Sequence, residues 1–231
     1  TGNITGRTAF DKEGTKKVNP DARYFHMNET MRREFYTGRW SEDECEPYSI
    51  FLSQGDYPLK GMHFAIEALA KLLPEFPEAK LYVAGNSIIE QKSLKQKLKL
   101  SAYGKYLLQL IRRYDVADKV IATGKLTAEE MKGQFLKSSV FICPSVLENS
   151  PNTIGEAMLL GVPVVASLAG GIPDMVTDER GGLLVPVGDV DKLAKAIRRV
   201  WTEKVEGHTG EELLAQKLSK AAAKRAGITH D

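Results

Sequence analysis

The sequence predicts an α/β protein, with a Rossmann-like parallel sheet covered by helices on both faces. Short apolar runs typical of buried strands alternate with longer amphipathic segments typical of helices, from residue 49 to about residue 203. This alternation is the pattern of successive β–α–β units, in which a crossover helix joins two parallel strands. A chain of 231 residues is long enough for one such domain with appended segments.

The composition is that of an ordinary globular protein, and it narrows the functional classes. The net charge is +2, which gives no reason to expect a nucleic-acid partner. Cys45 lies in an acidic polar stretch and Cys143 in an apolar strand, so we expect no disulfide and a reducing, cytoplasmic location. No apolar run approaches the ~20 residues that a membrane-spanning helix needs.

Six strands are predicted, each as a short apolar run that ends at a glycine, a proline or a polar residue. They cover residues 49–54, 80–84, 119–122, 140–143, 162–166 and 182–185. Helices are predicted at 61–73, at about 90–114 with a break at Gly104, from Thr127, and from Asp189 or Asp191 through Trp201. Thr127 and Glu130 have the spacing of a capping box, which fixes the start of the third helix.

Residues 1–48 and 206–231 are predicted to be separate segments that flank the domain at 49–205. The first segment is polar, is interrupted by glycines and has short helical patterns at 7–17 and 29–36. It is dense in aromatic residues, so we expect it to pack on something. The last segment has a helical pattern over about 211–226.

Two carboxylates, Glu148 and Glu156, flank one strand-to-helix turn, and this turn is the centre of the functional prediction. In a parallel sheet it lies at the carboxyl end of a strand, where ligands bind. The helix N-terminus offers unpaired backbone N–H groups that suit phosphate, whereas carboxylates suit hydroxyls, which donate hydrogen bonds to them. A nucleotide sugar matches this layout, because its phosphates lie between two hydroxyl-bearing rings.

Two common phosphate-binding motifs are not matched at the end of the first predicted strand. A dinucleotide fingerprint requires Gly-x-Gly-x-x-Gly, but Gly55 has no glycine two residues later. A P-loop requires a lysine and a hydroxyl after its last glycine, but Lys60 precedes Gly61. There remains a glycine that lets the backbone come close to a ligand, followed by a lysine able to reach a diphosphate.

Several stretches at the predicted strand ends carry a family resemblance. They are Gly55 with Lys60 and Gly61, and residues 83–85, 144–148, 156–158, 161–166, 170–174 and 182–185. Together they resemble the retaining GT-B glycosyltransferases of family four. The resemblance covers about residues 49–203, which correspond to that family's C-terminal, donor-binding domain, one half of a GT-B fold.

The resemblance implies a role for each matched residue. Glu148 would lie by the hydroxyls of the donor sugar, and Glu156 would bind the ribose. Lys60 would neutralise the leaving diphosphate, so Lys60 and Glu148 are the expected catalytic residues. The other expected donor-binding residues are Gly55, Leu126 near the nucleobase, and the turn residues Asn149, Ser150, Asn152 and Thr153. The turn would present backbone N–H groups to the sugar and the β-phosphate, for which Asn152 and Thr153 are the strongest candidates because Pro151 cannot donate.

The sequence departs from the family pattern at three positions. The basic residue usual after Gly55 is Asp56, so half of the usual diphosphate clamp is missing or comes from elsewhere. The usual glycine after Glu148 is Asn149, which tolerates left-handed backbone angles and would preserve the turn. The glutamate of a Gly-Gly-x-Pro-Glu pattern is Asp174. Asp56 keeps open the alternative of a non-catalytic module that binds a nucleotide or nucleotide-sugar.

The resemblance also implies a reaction and partners. A sugar would leave a nucleoside diphosphate and join an acceptor hydroxyl with retained configuration, and because the leaving phosphate can take the acceptor's proton, no metal or cofactor is expected. The acceptor, a glycan or a lipid-linked molecule in polysaccharide biosynthesis, would bind a further N-terminal domain, of which residues 1–48 would be the tail and linker. We expect the full-length enzyme in the cytoplasm, with peripheral association at the inner face of the membrane. The present chain, with a truncated C-terminal segment, would be inactive alone.

Overall fold

The computed structural model describes residues 2–86, 89, 101–207 and 210–230, and it begins with a small β–α–β unit. Strands β1 (Asn3–Gly6) and β2 (Arg23–His26) pair in parallel. Helix α1 (Ala9–Val18) joins them, close to the helix predicted at 7–17. The two strands were not predicted, because they are four residues long and half of their residues are polar.

The helix predicted at 29–36 is wrong. A single 3-10 turn, Arg33–Tyr36, forms in that stretch. Arg32, immediately before it, has extended backbone angles. Its side chain binds a carboxylate of another helix, so a tertiary contact overrides the local helical pattern here.

A six-stranded sheet forms the centre of the protein, and all of its neighbouring strands are parallel, which confirms the predicted fold class. Its strands are β3 (Glu46–Leu52), β4 (Lys80–Ala84), β5 (Val120–Gly124), β6 (Ser138–Cys143), β7 (Val164–Ser167) and β8 (Leu183–Val185). In space they follow the order β5-β4-β3-β6-β7-β8. The direction of winding therefore reverses between β3 and β6. Ligands of such sheets bind at this switch point, beyond the carboxyl ends of the strands.

Helices connect the strands of the sheet. They are α2 (Met62–Leu72), α3 (Ala102–Arg113), α4 (Ala128–Lys137), α5 (Asn152–Leu160), the short α6 (Ile172–Met175) and α7 (Val190–Thr202). The capping box of Thr127 and Glu130 is confirmed at the start of α4, and Asp189 is the residue that caps α7.

The break predicted at Gly104 is wrong, because α3 runs through this residue and buries it. The backbone N–H of Gly104 donates to the Ser101 hydroxyl at 3.0 Å. Gly104 therefore lies in a capped first turn, where its high backbone freedom costs little. Residues 90–100 of the same predicted helix lie outside the described residues.

The chain continues into a hairpin and a long helix. Strands β9 (Lys204–Gly207) and β10 (Gly210–Leu213) pair antiparallel, and helix α8 (Leu214–His230) follows. The helix predicted from residue 211 begins later, because residues 211–213 pair with β9. Helix α8 packs against α5, the helix that follows the candidate turn.

The N-terminal segment packs into the main core, as its aromatic content predicts. Phe35 is fully buried, and its ring centre lies 6.0 Å from that of Phe135, in an edge-on contact. Phe135 meets Phe51 of β3 in the same way, at 5.0 Å. Burial of one such ring contributes about 2–3 kcal/mol. Trp40 is also buried and donates from Nε1 to the carbonyl of Ser138 at 2.9 Å.

Two expectations from composition can be compared with the described part of the chain. Cys45 and Cys143 are both buried and free, so the prediction that they form no disulfide is confirmed. In the same part of the chain, no helix has the length and apolar character that crossing a bilayer requires.

Candidate functional site at the carboxyl edge of the sheet

The loops after β3 and β6 meet at the switch point of the sheet. The backbone N–H of Val146 donates to the carbonyl of Leu59 at 2.8 Å, which ties the two loops together. Gly61 has φ 75°, and any Cβ there would overlap the carbonyl oxygen of Pro144, so this approach needs glycine. Lys60 Nζ donates to Glu148 Oε1 at 2.5 Å. The two expected catalytic residues are therefore in direct contact.

Glu148 is held from several sides. The Ser145 hydroxyl donates to Glu148 Oε1 at 2.9 Å, and the Glu148 side chain is 11% exposed. The backbone N–H of Gly171 donates to the Glu148 carbonyl at 3.0 Å. A Cβ at Gly170 would overlap that same carbonyl oxygen, so the glycine pair lets a third loop close on Glu148. These contacts hold the backbone of Glu148 in place, while Lys60 and Ser145 orient its carboxylate.

A cavity of about 360 Å³ opens beside the Lys60–Glu148 pair, within the size range of ligand pockets. Five predicted site residues line it: Lys60, Leu126, Glu148, Asn152 and Thr153. Asn152 and Thr153 are the first residues of α5. Their backbone N–H groups belong to a helix N-terminus, which favours anions.

The cavity is also lined by residues that the sequence analysis did not name as site residues. They include Gln54, Lys125, Met131 and Ser145. Gln54 and Lys125 follow β3 and β5, so the rule that ligands bind at strand ends could have found them. The buried thiol of Cys143 borders the same cavity, and burial raises its pKa to about 11, which keeps it protonated at neutral pH. Among the described residues, no group of three or more His, Cys, Asp or Glu side chains could hold a metal ion.

Three other predicted site residues lie away from this cavity. Gly55 is buried, and a Cβ there would overlap the side chains of Val83 and Met62, so the glycine lets the loop after β3 pack against β4 and α2. Asn149 accepts a hydrogen bond from the Thr8 hydroxyl at 3.0 Å, and its backbone φ is not positive.

Ser150 is the third of these residues. It is buried, and its carbonyl accepts a hydrogen bond from Arg7 Nη2 at 2.6 Å. Arg7 also donates to Asn152 Oδ1 at 3.0 Å and pairs with Glu29 at 2.8 Å. Asn149 and Ser150 therefore contact the N-terminal β–α–β unit, which covers one side of the turn.

Glu156 is also off the cavity. It is 2% exposed, and both of its carboxylate oxygens bind the guanidinium of Arg32, at 2.7 Å from Nε and 2.9 Å from Nη2. Hydrogen bonding to Glu156 raises the pKa of Arg32 above its ordinary value. The guanidinium also lies over the ring of Phe35, 4.7 Å from its centre. The expected role of Glu156 in ribose binding stays a prediction.

Asp56, which stands where the family usually has a basic residue, is not among the residues that line the cavity. Its Oδ2 accepts a hydrogen bond from the Asn86 amide at 2.7 Å. Its Oδ1 is buried without a hydrogen-bond partner among the described residues. Position 56 therefore supplies no positive charge to the site.

Comparisons with known proteins agree with the fold and identify the family. The model of the family glycosyl transferases group 1 matches residues 46–203. The putative colanic acid biosynthesis glycosyltransferase WcaL of Escherichia coli is 28% identical over 181 residues, covering 69% of this chain and 41% of WcaL. The chain therefore spans less than half the length of this curated relative.

Two solved structures are similar in fold. Anabaena Alr3699/HepE in complex with UDP-glucose has a TM-score of 0.78 at 20% identity, covering 100% of this chain and 60% of that one. The C-terminal domain of LpcC, a glycosyl transferase group 1 family protein from Francisella tularensis, has a TM-score of 0.62 at 18% identity. That likeness covers 88% of this chain and 95% of the LpcC domain. The expected resemblance to the GT-B glycosyltransferases is confirmed, and since the family model spans more than half of the chain, the protein belongs to the glycosyl transferases group 1 family.

Proposed function

We propose that this chain is the donor-binding half of a retaining, family-four hexosyltransferase. It would bind a nucleoside-diphosphate sugar in the cavity beside Lys60 and Glu148. The observation that carries the proposal is the contact between these two residues at the switch point, next to the N-terminus of α5. The site offers a cation and a helix N-terminus to phosphate and a fixed carboxylate to sugar hydroxyls.

In this proposal, Lys60 changes its anionic partner from the Glu148 carboxylate to the diphosphate when the donor binds. The donor diphosphate displaces Glu148 from Lys60, because the diphosphate brings two negative charges to the ammonium group, against one on the carboxylate. The released carboxylate, still held by Ser145, then accepts hydrogen bonds from sugar hydroxyls. As the sugar leaves, negative charge grows on the β-phosphate, and Lys60 with the first turn of α5 stabilises it.

The proposed role of Glu156 carries a structural condition. Ribose hydroxyls reach its carboxylate only if the Arg32 guanidinium moves, since Arg32 now binds both oxygens. Gly55, Asn149 and Ser150 would act indirectly, by shaping the loops around the donor. Neither a metal ion nor a cofactor is part of the proposed reaction.

Transfer is proposed to need more protein than this chain supplies. The chain spans 41% of the length of WcaL, and the opposite wall of a GT-B cleft belongs to a second domain. The acceptor is proposed to be a glycan or a lipid-linked molecule, at the cytoplasmic face of a membrane. The names of relatives in colanic acid and amylovoran biosynthesis support polysaccharide assembly as the process.

Calorimetric titration of the chain with UDP, UDP-glucose and GDP tests the proposal. The UDP-glucose complex of HepE makes the uridine series the first choice. We expect Lys60→Met to weaken diphosphate binding at least about tenfold. We expect Glu148→Gln to weaken UDP-glucose more than UDP, because it removes a partner of the sugar. Lys195→Met, on an exposed position of α7, is the control. Absence of binding to every nucleotide would contradict the proposal.

A second candidate function is a non-catalytic nucleotide-binding module, which Asp56 favours because it removes a cation from the expected phosphate clamp. The two candidates differ in the full-length protein. A catalytic donor site predicts that Glu148→Gln abolishes sugar transfer by that protein, measured as UDP or GDP release in the presence of acceptor. A binding module predicts no release before or after the substitution.

A further inference from the structure

The charge of the cavity depends on one residue that the sequence analysis did not consider. Among the described residues that line the cavity, the charged side chains are those of Lys60, Lys125 and Glu148. Lys60 and Glu148 pair at 2.5 Å, so their charges largely offset each other. Lys125 is exposed and makes no ion pair or hydrogen bond with a described residue. The positive charge available to an anion in the ligand-free cavity is therefore that of Lys125.

The backbone of Lys125 is closely constrained. Gly124 ends β5 with φ 78°, and Thr127 caps α4, so Lys125 lies in a two-residue connection. The acids in the first turn of α4 are engaged elsewhere. Glu129 pairs with Lys132 at 3.1 Å, and Glu130 accepts from Thr127 at 2.8 Å. Neither carboxylate forms an ion pair with Lys125.

The cavity is continuous from Lys60 to Lys125. It runs along the carboxyl ends of adjacent strands, past Ser53 after β3 and Gly85 after β4. Asp56 lies beside this path but turns its carboxylate to Asn86. A ligand bound beside Lys60 thus has Lys125 along one wall and no cation at position 56.

We propose that Lys125 is the second phosphate-binding cation of the donor site, in place of the basic residue that Asp56 replaces. This inference rests on the proposed function. A nucleoside diphosphate carries at least two negative charges, and Lys60 supplies one positive charge even after the diphosphate has displaced Glu148 from it. The ammonium of Lys125 is a compact charge on a flexible stem, which lets it follow either phosphate.

The test is a calorimetric titration of the chain and of Lys125→Met, Lys125→Arg and Lys195→Met. The ligands are UDP or GDP, whichever binds the unsubstituted chain more tightly, with the corresponding monophosphate and nucleoside. We expect Lys125→Met to weaken the diphosphate about tenfold, the monophosphate less and the nucleoside not at all. Lys125→Arg keeps most of the affinity, and the loss in Lys125→Met shrinks at high salt. Lys195→Met removes the same charge from an exposed helix position and leaves all three affinities unchanged.

Different failures have different meanings. Unchanged diphosphate affinity in Lys125→Met overturns the inference and leaves the proposed function standing. An equal loss for the nucleoside and the diphosphate also overturns it, because Lys125 would then contact the base or the ribose. If the unsubstituted chain binds neither diphosphate, the proposed function itself fails, and the inference fails with it. A thermal melt of each variant confirms that the compared proteins are folded.

Discussion

The two carboxylates that flank the central turn have different surroundings, although each binds a cation. Glu148 pairs with Lys60, lines the cavity and keeps 11% of its side chain exposed. Glu156 pairs with Arg32, lies off the cavity and keeps 3% of its side chain exposed. One pair joins two loops of the same sheet edge, whereas the other joins α5 to the N-terminal segment.

The two pairs differ in their cations as well as in the burial of their acids. Lysine offers a compact ammonium and meets Glu148 through one contact, so a competing phosphate can replace the carboxylate. The guanidinium of Arg32 meets both oxygens of Glu156 and is supported by the ring of Phe35. A bidentate pair with a nearly buried acid resists exchange. In this structure one acid therefore faces the cavity and the other anchors the N-terminal segment.

The largest expected effect comes from breaking the Arg32–Glu156 pair at its arginine. Arg32→Ala leaves the Glu156 carboxylate buried without its cation, and we expect the free energy of unfolding to fall by roughly 3 kcal/mol. Glu156→Gln should lower the free energy of unfolding by less than Arg32→Ala does. The charge that it leaves unpaired belongs to Arg32, whose side chain is 43% exposed and can be hydrated. Urea unfolding of both variants measures the order of the two effects.

Arg33→Ala is the matched control for this order. Arg33 is the next residue, and its side chain is 95% exposed. We expect it to change the free energy of unfolding by less than about 0.5 kcal/mol. Equal, small losses in Arg32→Ala and Arg33→Ala would mean that the Arg32–Glu156 pair does not hold the segment in solution.

Breaking the other pair should affect stability less. Lys60→Met leaves Glu148 with the Ser145 hydroxyl and with access to the cavity, so we expect a loss of about 1 kcal/mol in the free energy of unfolding. Lys60→Met should weaken diphosphate binding more than Arg32→Ala does. A stability loss equal to that of Arg32→Ala would remove the contrast between an exchangeable pair and an anchoring pair. The measurement is again urea unfolding, beside Lys195→Met.

Sequence reasoning placed Lys60 and Glu148 in one site, although it did not predict their ion pair, and it gave no sign of the contact between Arg32 and Glu156. Parallel strands bring their carboxyl ends to one edge, so Lys60 and Glu148 could be placed together from strand ends alone. Arg32 and Glu156 are 124 residues apart, and their contact depends on how an extended segment crosses α5. A glutamate in a helix is usually exposed, and nothing in its spacing indicates that Glu156 is buried. The same limit hid β1 and β2, which pair across α1 despite their short, polar sequences.

The smallest expected effect is the pH dependence of stability that comes from Asp11, in the N-terminal segment. Asp11 lies in the capping box of α1, whose Thr8 contacts Asn149 in the central turn. Burial raises the pKa of Asp11, but hydrogen bonds from the Arg7 backbone and from Thr8 outweigh it, so its pKa lies below the ordinary 3.8. Because the pKa is lower in the folded state, the ionised carboxylate adds stability above about pH 3.8 and loses it as the pH falls through the folded value.

We therefore expect Asp11→Asn to lower the free energy of unfolding by about 0.5 kcal/mol at pH 7, through the lost charge at the helix N-terminus. The gap to the unsubstituted protein should narrow as the pH falls below about 3.8 and through the lower pKa of the folded state, because Asp11 is then protonated first in the unfolded chain and finally in both states. Asp21→Asn is the control, since Asp21 is an exposed acid in the loop after α1. Urea unfolding at several pH values measures the gap. A gap that stays constant as the pH falls to 3 would show that the charge of Asp11 does not stabilise this cap.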